Sequence, residues 1–498
     1  MFLLGFVGEV RSGLNGDSAW LLHVARRVSD GARLYVDVIE VNPPLVVWLG
    51  LPVVALARAT GWSDAAIFRG AIWCLALLAI WLGGRALRLL APGTPVGWRP
   101  AVLVGMAVVL VGMPAGYFGQ REHLVLILVL PWLLVAAARA EGGAPGRAVA
   151  AAAGALAGFG VALKPHYLLL PAAVAAYGWA AARTPRRLPP EHGTLAAVLA
   201  CYALLAAVLA PEYLGLVDRW GPVYWDYVRR PLATILAGDL KPLTVLAALL
   251  YWPVARRLTA RPRMADFLGI ATAVLFVAVV LQHKGFGYHY YPAVGTGMLL
   301  VFLGLLGAGP RPPGMPVRIA ARTAGALILV PILALSLGWA ADRAGGSAKR
   351  GPVAAGSREI GAFLDGRAAR GAVVVWSPWM DDSFPLMLER RAVWASRYPF
   401  VWFLPALYRE RMSAPGPVAC RREAEMSPDE RTLLATVAED LRAYRPELVF
   451  VRKPGTEGLL RIPLLECLAR SGEFRREFGA YRPLVDLEHF RVFQRKAT

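Results

Sequence analysis

Long apolar runs recur through the first 340 residues of the chain, and short polar loops separate them. Ten of these runs approach the ~20 apolar residues that an α-helix needs to cross the ~30 Å hydrocarbon core of a bilayer. The ten runs are roughly 67–83, 101–118, 123–138, 148–163, 167–182, 193–210, 240–255, 267–282, 290–308 and 321–340. The pattern predicts an all-α polytopic membrane domain over residues 1–342, with about 10–13 transmembrane helices.

Two apolar runs near the N-terminus fit this pattern less well. Residues 1–8 are too short to span a bilayer, so we expect a first helix that begins upstream of Met1 or is clipped. The run 43–60 begins with Pro43-Pro44 and ends in the polar segment 61–64. It is open whether this run crosses the membrane fully or forms a re-entrant, partial or interfacial segment.

The pattern changes after about residue 341, where a Gly-rich segment predicts a linker over residues 343–355. Beyond it, short apolar runs are typical of buried strands, and longer amphipathic segments are typical of helices. The predicted strands are 373–376, 448–451 and 490–493, and the predicted helices are 356–368 and 428–443. We therefore predict a small α/β domain over residues 356–498, which is long enough for a modest core.

The segment 9–42 contains an acidic residue, Asp17, at the start of an amphipathic helix. One predicted face is apolar and the other carries Arg26, Arg27 and Asp30; the apolar residues are Trp20, Leu21, Val24, Ala25 and Val28. Such a helix would lie along a membrane surface and hold Asp17 at the interface. Asp is also a preferred N-cap residue, so Asp17 could cap this helix instead, and the two roles are compatible.

Charge indicates how the chain is oriented in the membrane. The net charge is +20, in a sequence that is 57% hydrophobic with a mean hydropathy of +0.48. Five alternate loops together hold fifteen basic residues and only two acids, so the positive-inside rule places them in the cytoplasm. The opposite loops and the C-terminal domain are then extracytoplasmic, where Cys420 and Cys467 could form a disulfide. Nothing in the sequence suggests a nucleic-acid partner.

Three cations lie where predicted spans meet the extracytoplasmic face: Arg121, Lys164 and Lys284. With His166 and His289 they form a set that suits a phosphate or pyrophosphate at the bilayer surface. A single Lys at a helix end more often extends to the interface without binding a ligand, which is the alternative for each of them.

The first loop resembles that of a known family. Gly16-Asp17-Ser18, Asp37 and the run Glu40-Val41-Asn42-Pro43-Pro44-Leu45 are similar to the first extracytoplasmic loop of glycosyltransferase family 39. This family belongs to the C superfamily of membrane glycosyltransferases and includes protein O-mannosyltransferases and lipid A aminoarabinose transferases. The resemblance implies that Asp17 is the catalytic base and that Asp37, Glu40 and Asn42 belong to the substrate loop. Glu122 stands where the family has its second acid, usually Asp.

The same resemblance implies an activity and its partners. We expect a sugar on a polyprenyl phosphate, a hexose or a pentose, to be transferred to a lipid, glycan or protein hydroxyl at the periplasmic face of the inner membrane. Arg121, Lys164, His166, Lys284 and His289 would bind the donor phosphate. A transporter or flippase, or a polymerase or ligase, for lipid-linked sugars is the alternative function. No cofactor is assigned, although Asp17 with Glu122 and nearby histidines could hold a divalent metal ion.

Overall fold

The computed structural model describes residues 13–181, 188–307, 314–345, 352–366, 371–455 and 458–497, with a few isolated positions outside these ranges. Parts of the predicted linker, the end of the predicted helix 356–368 and most of the N-terminal apolar run lie outside the described residues. The chain forms two compact units. We call the first, Met1–Ser12, Ala66–Leu209 and Arg230–Ala348, the membrane unit, and the second, Gly13–Ala65, Ala210–Arg229 and Lys349–Thr498, the C-terminal unit.

Each of the ten predicted spans coincides with a helix of the membrane unit. Six helices are long and apolar enough to cross a membrane by themselves: Asp64–Leu90, Arg121–Ala140, Pro190–Leu209, Pro262–Gln282, Gly287–Leu306 and Met315–Ala344. The other predicted spans form helices that are shorter or more polar: Trp98–Ala107, Arg147–Ala162, Leu169–Ala181 and Leu240–Leu258. The short helix Leu232–Ala237 also belongs to this unit. The prediction of an all-α polytopic membrane domain is confirmed.

The predicted span 101–118 is irregular at its end. Its α-helix continues as a π-helical turn, Val108–Gly112, and then as the 3₁₀ turn Ala115–Tyr117. Gly119 follows with φ of +75°, a conformation that favours glycine. π-helical turns are frequent near functional sites, and this one directly precedes the helix that begins at Arg121.

The C-terminal unit combines the predicted α/β domain with the first loop. Its helices are Gly16–Ser29, Leu45–Trp48, Gly50–Thr60, Glu212–Asp226, Pro352–Asp365, Leu386–Glu389, Phe403–Leu407, Arg409–Met412, Pro428–Tyr444, Leu464–Leu468 and Gly472–Phe478. Its sheet consists of β1 (Val373–Trp376), β2 (Leu448–Arg452), β3 (Tyr481–Asp486) and β4 (Phe490–Arg495) in the order β1-β2-β4-β3. The predicted small α/β domain is thereby confirmed.

The two parallel strands of the sheet are the ones that the apolar runs predict most directly. β1 and β2 are parallel and buried along their whole length, as the runs 373–376 and 448–451 indicate. The hairpin partner β3 escapes sequence analysis because most of its residues are exposed and it contains Pro483. It pairs antiparallel with β4, with a register shift near Pro483.

Cys420 and Cys467 form a disulfide, as the sequence predicts. The bond joins two segments that are 47 residues apart and pins the chain that follows Arg409–Met412 to the helix Leu464–Leu468. The apolar runs that contain Cys74 and Cys201 suggest that both are small core residues, but both lie on exposed surfaces of helices in the membrane unit. That expectation is wrong, because apolar helices of a membrane protein expose their side chains to lipid instead of to a protein core.

The run 43–60 forms two short helices that pack on the first-loop helix Gly16–Ser29. Gly50 is the close contact, because a Cβ built there would lie 2.9 Å from the Cβ of Ala25. An α-helix rises ~1.5 Å per residue, so residues 45–60 are too short to cross a bilayer core of ~30 Å alone. This length favours the partial or interfacial alternative for the run.

Candidate active site

The first turn of the first-loop helix carries Asp17 but does not use it as a cap. The N-cap is Asn15, whose side-chain oxygen accepts the backbone N–H of Ser18 at 2.9 Å. The alternative that Asp17 caps this helix is therefore wrong, because the helix begins at Gly16, two residues earlier than that alternative requires. Asp17 is half-buried in the first turn.

Asp381, which sequence analysis did not single out, lies beside Asp17. Its carboxylate lies against Gly16, since a Cβ built on Gly16 would lie 2.6 Å from Asp381 Oδ1, and the Gly16 N–H favours the charged form of the carboxyl. Desolvation by the surrounding protein and the negative charge of Asp17 nevertheless raise the pKa of Asp381 to about 6, although part of its side chain reaches solvent. Asp381 could have been singled out from the sequence, because the two adjacent acids of Trp379-Met380-Asp381-Asp382 come shortly after the buried strand β1.

The turn that carries Asp381 is fixed by the next residue. Asp382 is fully buried and forms an ion pair with Arg452 of β2, with 2.7 Å between Arg452 Nη1 and Asp382 Oδ1. The hydroxyl of Ser377 also donates to Asp382. Buried charges need such partners, so this network holds the 3₁₀ turn Met380–Asp382 in one arrangement.

The substrate-loop residues fall into two groups. Glu40 is buried and accepts hydrogen bonds from Trp20 Nε1 at 2.6 Å and from the backbone N–H of Asn42 at 2.9 Å. The side chain of Asn42 also donates to Glu40. Asp37 instead pairs with Arg33 on the surface, and the backbone N–H and guanidinium of Arg33 hold the pKa of Asp37 below its ordinary value. Glu40 and Asn42 thus shape the loop around the first-loop helix.

A second group of predicted residues meets in the membrane unit, around Glu122. Glu122 is fully buried in the first turn of the helix Arg121–Ala140 and forms an ion pair with Lys164. Lys164 also donates to Gln282 at 3.1 Å, which ties together three helices or their ends. His289 Nε2 lies 3.9 Å from Glu122 Oε1. The structure therefore brings Glu122, Lys164 and His289 into contact.

The remaining predicted residues surround this centre. Arg121 and Lys284 are both more than 90% buried, and His166 is half-buried. Arg121 and His166 interact electrostatically with Glu122 or Lys164, and Lys284 follows Gln282 by two residues. Arg121, Lys164 and Lys284 are thus buried cations, and Lys164 pairs with the buried carboxylate of Glu122.

Hydrogen bonds of His123 hold the backbone that carries Arg121 and Glu122. Gly119 donates its N–H to His123 Nδ1 at 3.0 Å, and His123 Nε2 contacts the carbonyl of Leu110 at 2.8 Å. This buried histidine joins the π-helical turn to the start of the next helix, where Arg121 and Glu122 lie. His123 acts in the structure as a support for the site and not as a member of it.

The residues around Asp17 and the residues around Glu122 offer complementary chemistry. A half-buried carboxylate such as Asp17 is suited to accept a proton, and buried cations are suited to bind an anion such as phosphate. Among the described residues, no three His, Cys, Asp or Glu side chains are arranged to hold a metal ion.

Comparisons with known proteins bear on the fold. No family model and no curated protein sequence matches the chain. The crystal structure of ArnT from Cupriavidus metallidurans bound to undecaprenyl phosphate aligns with 99% of this chain and 96% of its own, at 13% identity and a TM-score of 0.58. Its apo structure aligns with 99% and 95%, at 14% identity and a TM-score of 0.53.

This chain has the fold of ArnT, a lipid A aminoarabinose transferase. The resemblance that the first loop predicts is thereby confirmed for the fold. An oligosaccharyltransferase from Archaeoglobus fulgidus, tethered with an acceptor peptide, is a looser match with 13% identity, a TM-score of 0.44, and 89% of this chain and 65% of that chain covered. The ArnT alignment spans almost the whole chain and so includes residues of both units.

Proposed function

We propose that this protein is an integral-membrane glycosyltransferase that moves a sugar from a polyprenyl-phosphate donor to an acceptor hydroxyl. The observation that carries the proposal is the buried ion pair of Glu122 with Lys164, beside Arg121 and His289, within a C-superfamily fold. Charged side chains are costly at membrane depth and usually mark a functional site. The structure of ArnT with undecaprenyl phosphate supports a lipid phosphate as the anion.

Asp17 is the general base of the proposed reaction. The acceptor hydroxyl attacks the anomeric carbon of the donor sugar, and the bond between that carbon and the phosphate oxygen breaks. Asp17 takes the hydroxyl proton as the new glycosidic bond forms. Its place in the first turn of the helix, with Asn15 as the cap, supports this role because the carboxylate has no capping task.

The cations stabilise the leaving group. Negative charge grows on the phosphate as the anomeric bond breaks, and fixed cations in a dry site stabilise such charge strongly. We assign this role to Arg121, Lys164 and Lys284, with His166 and His289 as hydrogen-bonding neighbours. Glu122, the second predicted catalytic residue, acts by holding the ammonium group of Lys164 in place.

The substrate loop supports the base. Glu40 fixes both Trp20, one turn after Asp17, and Asn42, which opens the Pro-Pro segment. Tyr35 closes the same loop by donating its hydroxyl to the carbonyl of Asn42 at 2.8 Å. We propose that this loop borders the acceptor, with Asp37 at its surface.

The proposed reaction takes place at the periplasmic face of the inner membrane. Cysteines introduced at positions 260 and 286 would test this orientation, with a reagent that does not cross the membrane. Position 286 should react from outside the cell, and position 260 should react only after the cells are opened. Equal reactivity of both from one side would contradict the proposed orientation.

The activity itself is tested with purified protein in detergent or liposomes and radiolabelled polyprenyl-phosphate sugars. We expect label to leave the lipid in the presence of a hydroxyl acceptor and to remain when Asp17 is replaced by Asn. A flippase would instead move intact labelled lipid between the leaflets of a liposome. Movement without loss of label, unchanged by Asp17→Asn, would overturn the proposal in favour of transport.

A further inference from the structure

The C-terminal unit contains a contact that the proposed reaction does not yet use. Asp381, which follows strand β1, meets the first turn of the helix that carries Asp17. A Cβ built on Gly16 would lie 2.6 Å from Asp381 Oδ1 and 3.2 Å from the carbonyl of Phe384. The approach therefore requires glycine directly before Asp17, which accounts for the Gly16-Asp17 pair in the sequence.

Asp381 has no freedom to leave this contact. On one side, the ion pair of Asp382 with Arg452 anchors its turn to the sheet. On the other side, the fully buried ring of Phe384 packs edge-on against Trp20, with 5.2 Å between ring centroids. The carboxylate of Asp381 is thus presented to Gly16 from a turn that is held at both ends.

The contact lies at the first turn of the helix. The first backbone N–H groups of a helix have no partner within the helix, and a carboxylate there is stabilised by those N–H groups and by the helix dipole. Asn15 satisfies Ser18, and Asp381 satisfies Gly16. Together they fix the direction of the first turn, and with it the direction in which Asp17 projects.

We propose that Asp381 is the positioning residue for Asp17, so that the C-terminal domain forms part of the catalytic apparatus. This proposal rests on the proposed function of Asp17 as the general base. Asp381 itself contacts the backbone of the base's neighbour and takes no proton in the reaction. A displacement of a reacting group by ~1 Å can cost ~10²-fold in rate, so loss of this contact acts mainly on kcat.

Three variants separate positioning from general structural support. Asp381→Asn keeps an oxygen that can accept the Gly16 N–H, and should retain most of the wild-type kcat. Asp381→Ala removes that acceptor and should lower kcat by about tenfold or more, with the KM for the lipid donor unchanged. Gly16→Ala favours the helix by ~1 kcal/mol but pushes the new Cβ into Asp381, so it should also lower kcat.

The double variant gives the sharpest test. If Gly16→Ala acts by displacing Asp381, then adding it to Asp381→Ala should cost nothing more, because the group that it displaces is gone. Multiplied losses would show that the two residues act separately and would overturn the proposal. Asp365→Asn is the matched control, since Asp365 is an exposed aspartate of the same domain that pairs with Arg390.

Failure of this proposal is distinguishable from failure of the proposed function. If Asp17→Asn abolishes transfer while Asp381→Ala and Gly16→Ala both keep the wild-type kcat, Asp17 stays the base and the positioning role is wrong. If Asp17→Asn is active, the proposed base itself is wrong. Thermal unfolding of each purified variant identifies one that has merely lost its fold, and Asp381→Asn, which keeps the acceptor, remains informative in that case.

Discussion

Lys164 and Glu122 form an ion pair in which the carboxylate is fully buried and the ammonium group nearly so. Removing one partner of a buried pair leaves an uncompensated charge and typically costs about 3–5 kcal/mol of stability. We expect Glu122→Gln to lower the unfolding temperature and to raise the KM for the lipid donor, because Lys164 is no longer held. Thermal unfolding and donor titration measure the two effects.

The pair Arg139–Glu191 is the matched control for this prediction. Glu191 is also fully buried, and its partner Arg139 lies near the other end of the helix that carries Glu122. Glu191→Gln should lower stability but leave the KM for the donor at its wild-type value. If both variants change the KM equally, the effect of Glu122 is one of general stability.

Replacement of Asp17 by Asn should abolish transfer and leave stability unchanged. General-base contributions are typically ~10²–10⁴-fold in rate, and Asn lacks the basic oxygen. Stability should be retained because Asn15, and not Asp17, caps the helix. Asp17→Glu should recover little, since the longer side chain moves the carboxylate.

Single-turnover transfer of labelled sugar and donor binding should be measured on the same Asp17 variants. Asp30→Asn is the control, because Asp30 lies at the other end of the same helix and forms an exposed ion pair with Arg58. Near-normal transfer by Asp17→Asn would direct the search for the base to Asp37, Glu40 or Glu122.

Arg121 and Lys284 should contribute to donor binding and to the chemical step. Each Gln variant removes a buried cation, so we expect a higher donor KM and a lower kcat. Steady-state kinetics with a polyprenyl-phosphate sugar measure both. Arg58→Gln removes a cation from an exposed pair and should change neither value. If the Gln variants of Arg121 and Lys284 both show wild-type kinetics, these side chains extend to the membrane interface without binding the donor.

Reduction of Cys420–Cys467 should destabilise the C-terminal unit. In the chain-entropy model, a disulfide that closes a loop of 47 residues contributes about 4 kcal/mol. Cys420→Ser with Cys467→Ser should therefore lower the unfolding temperature of the full chain, and added reductant should have no further effect on it. Cys201→Ser, which changes a free cysteine, should leave the unfolding temperature as it is.

The pH dependence of stability should reveal the position of Asp381. Its pKa rises from about 3.8 to about 6 on folding, so the folded state binds more protons than the unfolded state between those values. The free energy of unfolding should fall as pH rises from 4 to 6, by no more than about 1 kcal/mol because Asp381 is exposed. Burial also raises the pKa of Asp382, to about 7, so Asp381→Asn should reduce this change without removing it, and Asp17→Asn should weaken it. An unchanged pH dependence in Asp381→Asn would contradict this origin.

Hydropathy alone determined much of the architecture. An apolar run must lie in lipid or in a core, so the ten spans and the strands β1 and β2 were predictable from local sequence. The disulfide followed from two cysteines in a region that charge placed outside the cell. The strand β3 was not predictable, because pairing with β4 and not an apolar pattern holds it in the sheet.

The candidate site was also predictable only in part from the sequence. Asp17, Glu122, Lys164 and their neighbours were identifiable from the sequence. A charged side chain beside an apolar run is costly, so it is usually kept for a function. Three contacts are seen only in the tertiary structure. Glu122 pairs with Lys164, Asn15 caps the first-loop helix, and Asp381 lies against Gly16. These contacts join residues between 3 and 365 positions apart. Local periodicity carries no information about which distant side chains meet, so packing of the folded chain decided them.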